Sequence, residues 1–341
     1  VRIRYLLENA KEKTLNLVRS LPPSPRLEDH APGKTKRRSG ESESRDSARE
    51  IRIAKAYIET VAISPADFVE IIHPRDKAYL STRLLLNQKA FASYHYFRMG
   101  REAILSIENV LRTSGKMFGE VGSFLDFDSG HGMVIRFLIQ EMDPGKVWVS
   151  DIDRDAVDFQ KKCFGINGLY SETEPSKVKF PRRFDVIYAE SFFCHLPADR
   201  FEEWLAALYD VLEDEGILIF STVGQWACPP QAKAYGSGFS FLRKSVSKKG
   251  DAREYYGDSF VTKEWVSRLA QEIGIAELHY LPREVCDYQD MYVAAKGYVP
   301  SLKNLLPADY SRGNIDFVQI TDSGQIIVKG WAAVKESGSP V

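Results

Sequence analysis

The chain is short of several features that would each settle its role at once. It has only four cysteines in 341 residues: Cys163, Cys194, Cys228 and Cys286. They lie far apart and form no C-x-x-C pair, which argues against zinc and against a disulfide framework and fits a reducing cytosol. Neither sign of charge dominates. The 46 Lys and Arg nearly balance 47 Asp and Glu, so no global basic field points to nucleic acid or an anionic membrane. No apolar run reaches the ~18–20 residues that a membrane span needs. The opening "VRIRYLLENAKEKTLNLVRS" sets charges among its apolar positions, unlike the core of a secretory signal. No repeat of 20–50 residues is visible. What remains is an ordinary globular composition, 44% apolar and 27% charged.

Residues 1–20 read as an amphipathic helix with Leu6, Leu7, Ala10, Leu17 and Val18 roughly on one side. Residues 21–49 hold almost no large apolar side chain and are expected to be a disordered linker. Its "KTKRR" patch reads as a solvated charge run. From about Ala48 to Arg112 the pattern is helical, with Phe97, Ile104, Leu105, Ile107 and Leu111 at helical spacing. Strand and helix signals then alternate. "SFLDF", "KVWVSDID", "FDVIYAES" and "GILIFSTVG" read as strands, separated by helices such as "RDAVDFQKKCFG" and "ADRFEEWLAALYDVLE". Such alternation predicts a parallel sheet covered on both faces. After the helix "TKEWVSRLAQEIG", two late strands within 276–296 close the sheet as an antiparallel pair. "GSGFSFLRKSVSKKGDAREYYG" reads as a mobile lid. Residues 299–341 carry a β-hairpin signal around D-S-G, a short tail that either docks or opens an incomplete module.

The most informative stretch is "FLDFDSGHGMVIRFL", residues 124–138. A strand stops at Asp126, then Asp128-Ser129-Gly130-His131-Gly132 turns into a helix. Two readings stand: a tight structural turn, or a cradle in which Gly130 and Gly132 let a ligand approach the backbone. The second strand ends on Asp151, 19 residues beyond Gly132, placed to accept hydrogen bonds from two ribose hydroxyls. A dinucleotide fingerprint would need a third small residue, but Met133, Val134 and Ile135 follow, and Asp126 would repel a pyrophosphate. A carboxylate there suits a ligand with an amino group and a sulfonium.

The turn resembles motif I, D-x-G-x-G-x-G, of class I S-adenosylmethionine-dependent methyltransferases. "DIDRDAVDF" resembles their second motif, and "FDVIYAESFFCHLPADRFEEWLAALYDVLEDEGILIFSTVG" their fourth strand through fifth. The likeness runs from about Pro65 to Lys296. "SFFCHLP", "GFSF", "YYGDSFVTKEWV" and "YQDMYV" are similar to a bacterial group often found beside or fused to glycosyltransferases, and "VKGWA" to a β-module of polysaccharide-synthesis proteins. Two positions depart from the pattern. Asp128 replaces the first motif glycine; Asp tolerates positive φ better than most residues, but its carboxylate is expected to crowd the cofactor. Asp214-Glu215-Gly216 replaces the usual Pro-Gly-Gly.

The resemblance implies an α/β fold, doubly wound, with a mostly parallel seven-stranded sheet, N-terminal helices and a C-terminal β-hairpin. It places a methyltransferase domain with a helical cap at 50–298. It also implies a cytoplasmic enzyme with S-adenosyl-L-methionine as cofactor and a small-molecule or glycan acceptor, with a glycosyltransferase as a further partner, no nucleic acid, no membrane span and no metal. Asp126 would hold the methionine end, Asp128, Gly130 and Gly132 would line the turn, Asp151 the ribose and Ile152 the adenine. Glu190 and Ser191 would face the methyl-bearing side, and His195 would be the general base, since histidine titrates near neutrality. Tyr255, Tyr256 and Trp226 fall in the segment that commonly covers the acceptor; Ser171 and Glu172 fall near the adenine side. Each has a plainer counterpart: a strand-end acid, a core contact, or a histidine that holds the start of a helix. The competing function is a methyltransferase-like module without catalysis, serving as a scaffold in glycan assembly.

Overall fold

The computed structural model describes residues 40–86, 89–230, 236–243, 256–297, 299–308, 311–320 and 326–334. The helix expected over 1–20, and Tyr255, lie outside them. Three helices come first: α1 (Gly40–Val61), α2 (Lys77–Leu85) and α3 (Ala92–Thr113). Helix α1 begins inside the 21–49 stretch expected to be disordered. Its first turns are apolar-poor, but Glu, Arg and Ala are good helix formers, and the following turns anchor through Ala54 and Ile58. Buried Glu50 adds a polar anchor, accepting from the Tyr79 hydroxyl (2.7 Å) and the Ser93 hydroxyl (2.6 Å). In α3, Phe97, Ile104, Ile107 and Leu111 are buried as their spacing predicts.

The sheet then builds as β1 (Phe124–Phe127), α4 (Ile135–Glu141), β2 (Val147–Asp151), α5 (Arg154–Phe164), β3 (Asn167–Tyr170), β4 (Phe184–Ala189), α6 (Ala198–Asp210) and β5 (Leu212–Thr222). Two strands, β6 (Phe239–Arg243) and β7 (Gly257–Val261), pair antiparallel outside it. They are followed by α7 (Lys263–Ile273), β8 (Glu277–Val285) and β9 (Gln289–Ala295). Strand order is β3-β2-β1-β4-β5-β9-β8. The first five run parallel; β9 is antiparallel to β5, and β8 to β9. This is the expected doubly wound, seven-stranded sheet.

Alternation along the strands puts a core on each face. On one face Phe124, Val186, Tyr188, Ile217 and Ile219 pack with α3 and α4. On the other, Leu125, Phe127, Ile187, Leu218 and Phe220 pack with α6 and α7. The winding reverses between β1 and β4, so the crevice opens at their carboxyl ends.

The segment read as a lid holds β6 and ends on the first residue of β7, and its middle lies outside the described residues. Residues 299–308 pack on the domain: Leu302 and Ala308 are buried, and the Ala308 N–H donates to the buried Glu284 carboxylate (3.0 Å). The tail hairpin forms as β10 (Ser311–Ile320) and β11 (Ile326–Val334), paired with each other alone among the described strands.

Candidate active site

The crevice begins where β1 ends. Asp128 takes φ +63°, Gly130 +57° and Gly132 +83°, three left-handed residues that fold the chain back beside β2. The N–H groups of Asp128 and Ser129 both donate to Ser150 O (2.8 and 3.1 Å). Asp151, buried at the end of β2, binds the same turn. Its Oδ2 accepts from Gly130 N–H (2.9 Å) and its Oδ1 from Asp153 N–H (2.7 Å). Each oxygen keeps a second lone pair.

The two turn glycines differ in purpose. A Cβ on Gly130 would meet nothing within 4 Å, so that side is open. A Cβ on Gly132 would come within 2.5 Å of the Phe164 ring and 3.0 Å of Gln160 Oε1. The Cβ side of Gly132 is filled by α5, so protein packing alone already requires glycine there. Helix α4 also starts later than the apolar run suggests, at Ile135, so no helix N-terminus abuts the turn.

Four carboxylates gather here: Asp126 from β1, Asp128 from the turn, Asp151 from β2 and Glu190 just past β4. Asp126 is 3% exposed, and its Oδ2 has no hydrogen-bond partner among the described residues. Burial, then the charges of Glu190, Asp128 and Asp151, hold its proton affinity well above that of an ordinary carboxylate. Burial and the Asp128 charge push Asp151 up to about 7, against its two backbone donors and Lys77. Burial also pushes Glu190 to about 7, although the Tyr188 hydroxyl donates to its Oε2 (2.9 Å). Asp128 is raised too, by burial, while the charges of His195 and Lys77 pull it down. Lys77, the first residue of α2, places the helical cap at the crevice.

On the β4 side, Ser191 sits at φ +59°. A closed triangle holds it there: Ser191 N–H donates to Ser221 Oγ (2.8 Å), Ser221 Oγ to Gln289 Oε1 (2.7 Å), and Gln289 Nε2 to Ser191 Oγ (2.7 Å). His195 follows on a short turn. Its Nδ1 lies 2.9 Å from Gly257 O and 3.5 Å from Asp258 Oδ1, and its ring stacks on Tyr256 at 4.5 Å. A carbonyl only accepts, so Nδ1 carries the proton and Nε2 the lone pair. Ile152 is 45% exposed beside Asp151, a free apolar face. Ser171 is buried with its N–H on Asp151 O (3.0 Å); Glu172 pairs with Arg154 at the surface (3.8 Å). Trp226 is 52% exposed, with Arg283 over its ring at 5.2 Å.

The methyltransferase domain family matches residues 96–274, just over half of the chain. The chain belongs to this family. It is thus a methyltransferase, as the motif turn suggested. No curated protein matches it. Among solved structures it is similar to an S-adenosylmethionine-dependent methyltransferase from Clostridium acetobutylicum ATCC 824 (14% identity, 60% of this chain and 92% of that one, TM-score 0.41). It is also similar to the N-methyltransferase NodS from Bradyrhizobium japonicum WM9 in complex with S-adenosylhomocysteine (11%, 59% and 88%, 0.40). Human N-acetylserotonin methyltransferase in complex with SAM is a third (13%, 76% and 68%, 0.42).

The residues fit a cationic cofactor. The buried Asp126 oxygen lacks a donor, Asp151 retains acceptor capacity, and Gly130 leaves room. The methyltransferase turn also depends on residues that the sequence did not single out. Gln160, fully buried, donates to Ser129 Oγ and Gly130 O, both at 2.8 Å. Arg136, also fully buried, donates to Gly132 O (3.0 Å), Val69 O (2.8 Å), Ile71 O (3.2 Å) and the Tyr96 hydroxyl (3.2 Å). Its one visible signal was a lone cation inside the apolar run "MVIRFLI".

His73, His131 and Asp155 bring donor atoms within 4.8 Å of one another, a grouping the sequence reading did not name. Their contacts are turned to the protein. The two imidazoles stack nearly parallel at 4.4 Å, so their in-plane lone pairs run side by side instead of converging. Arg75 N–H donates to His73 Nδ1 (3.3 Å), which puts the neutral ring's proton on Nε2, 3.6 Å from Asp155 Oδ2. The Arg75 guanidinium lies 3.3 Å from that same oxygen. Burial lowers His131 to about 4 and keeps it neutral. The trio ties the cap to the turn.

Proposed function

We propose that this methyltransferase acts in the cytoplasm on a hydroxyl of a small molecule or glycan precursor. The carrying observation is the buried Asp126 oxygen, without a partner among the described residues, at the reversal point of the sheet: an ammonium group would satisfy it and hold the carboxylate ionised against its raised proton affinity. In this reading Asp151 accepts from the ribose hydroxyls with its remaining lone pairs, and Ile152 covers the adenine. The open side of Gly130 admits the cofactor; Glu190 and Ser191 border its methyl-bearing end. When bound, S-adenosylmethionine supplies an activated methyl on sulfur. The chain's task is to align an acceptor oxygen with it, exclude water and take the acceptor proton. His195 Nε2 is the base, aimed by Gly257 O. The four acids oppose an anionic acceptor, which favours a neutral hydroxyl. A role beside glycosyltransferases belongs to the same proposal and rests on the short sequence likenesses alone.

Two measurements test it. By calorimetry, Asp151→Ala should weaken S-adenosylmethionine about 10–100-fold, the value of hydrogen bonds to a charged group; unchanged affinity would remove the ribose assignment. His195→Ala should cut methyl transfer by roughly 10²–10⁴ while leaving cofactor affinity alone. Binding without transfer to any hydroxyl acceptor would favour the scaffold reading.

A further inference from the structure

We propose that Asp128, set among Asp126, Asp151 and Glu190, makes this pocket select cofactor by charge, holding the sulfonium form and letting the neutral thioether product go. This deepens the cofactor reading above and rests on it. The family motif has glycine where Asp128 stands, and glycine adopts φ +63° without penalty, whereas a side chain there is strained. The carboxylate nevertheless stands within electrostatic reach of the other acids. Its charge acts on Asp126, Asp151 and Tyr256, and the charges of His195 and Lys77 act on it. No hydrogen bond or ion pair within 4 Å engages its oxygens among the described residues. Asp126 Oδ2, nine-tenths buried and without a donor among the described residues, is the independent sign that a cationic ligand belongs here.

The charge balance follows from the reaction. S-adenosylmethionine carries an ammonium, a sulfonium and a carboxylate, net +1. On transfer, the acceptor oxygen forms its bond to the methyl carbon and the carbon–sulfur bond breaks. Its electron pair goes to sulfur, and the acceptor proton goes to His195. The thioether left behind is net neutral. The two forms share the methionine end and the ribose and differ in one methyl and one positive charge, and it is the charge that the field of the carboxylates reads. A unit charge about 6–12 Å away, through an effective dielectric of about 20, changes affinity on the order of 10- to 100-fold.

The groups facing the crevice are Asp126 on β1, Asp128 in the turn, Asp151 on β2, Glu190 after β4, Lys77 on α2, and His195 and Tyr256 across from them. With Asp151 and Glu190 titrating near 7, cation binding below that pH must expel protons. The sulfonium form should therefore gain affinity as pH rises from 6 to 8, and the thioether much less.

Calorimetry of the full chain with S-adenosylmethionine, S-adenosylhomocysteine and an unreactive analogue bearing a protonated amine in place of the sulfonium tests this. The wild type should bind both cations at least ~10-fold more tightly than the thioether at pH 8. Asp128→Asn and Asp128→Gly should each lose most of that preference with thioether affinity unchanged. The glycine variant relieves the strained φ, so it should fold even where asparagine does not. Equal affinities in the wild type, or a preference untouched by both variants, would overturn the proposal. Binding of none of the three ligands would overturn the cofactor reading instead.

Discussion

Replacing Arg136 with methionine should cost about 3–5 kcal/mol of stability, because one buried guanidinium satisfies groups from three parts of the chain. Its partners are two carbonyls of the segment before α2 (Val69 and Ile71), the carbonyl of turn residue Gly132, and the Tyr96 hydroxyl on α3. Tyr96 in turn donates to buried Asp76 (2.7 Å), which caps α2 through Tyr79 N–H (3.0 Å). Each buried acceptor left without a donor costs about 1–3 kcal/mol. Summed naively the loss would be larger. Methionine recovers apolar contact with the Phe97 and Phe164 rings that flank the guanidinium at 5.3 and 5.5 Å, and water can reach some of the freed carbonyls. The net figure matches that for removing one member of a buried charged network. Lysine should recover only part of the loss, since a single ammonium cannot serve acceptors on several sides of a planar fork. Urea unfolding followed by circular dichroism measures it as a shift in midpoint at constant slope. Limited proteolysis should show cleavage appearing between residues 62 and 76. A loss under about 1 kcal/mol with that segment still protected would refute the reasoning.

Two further outcomes follow from the site. Gly132→Ala should cost roughly 2–4 kcal/mol by urea unfolding, since strain at φ +83° adds to a clash with Phe164, whereas Gly130→Ala should cost about 1 kcal/mol, from conformation alone. Asp151 and Glu190 have folded-state values near 7, above their ordinary range, so at intermediate pH the folded form holds protons that the unfolded form has lost. The ligand-free protein should therefore lose stability from these groups as pH rises from about 4 to 7 and level off above, a trend that melting curves across pH would check.

Period-2 and period-3.6 patterning made most of the sheet and its flanking helices readable, because each strand alternates between two cores and each helix buries a single stripe. The turn was readable for a local reason: glycine and aspartate at left-handed positions carry their own signature. Other features were hidden because their meaning lies in distant partners. Arg136 reaches Val69 across 67 residues and Glu284 meets Ser106 across 178, and no local window contains such pairs. Strand β6 was read as part of a lid because glycine and lysine around it outweighed the short apolar run "FSFL". The packing demand at Gly132 was hidden for the same reason: its neighbour Phe164 belongs to another helix.

The contact between His195 and the Gly257 carbonyl reaches beyond geometry. A ring whose tautomer is chosen by one oxygen 62 positions downstream does not decide for itself which nitrogen meets the crevice. That decision belongs to β7, so in the proposed mechanism, where His195 is the base, editing β7 would retune proton uptake without altering any group that touches the donor.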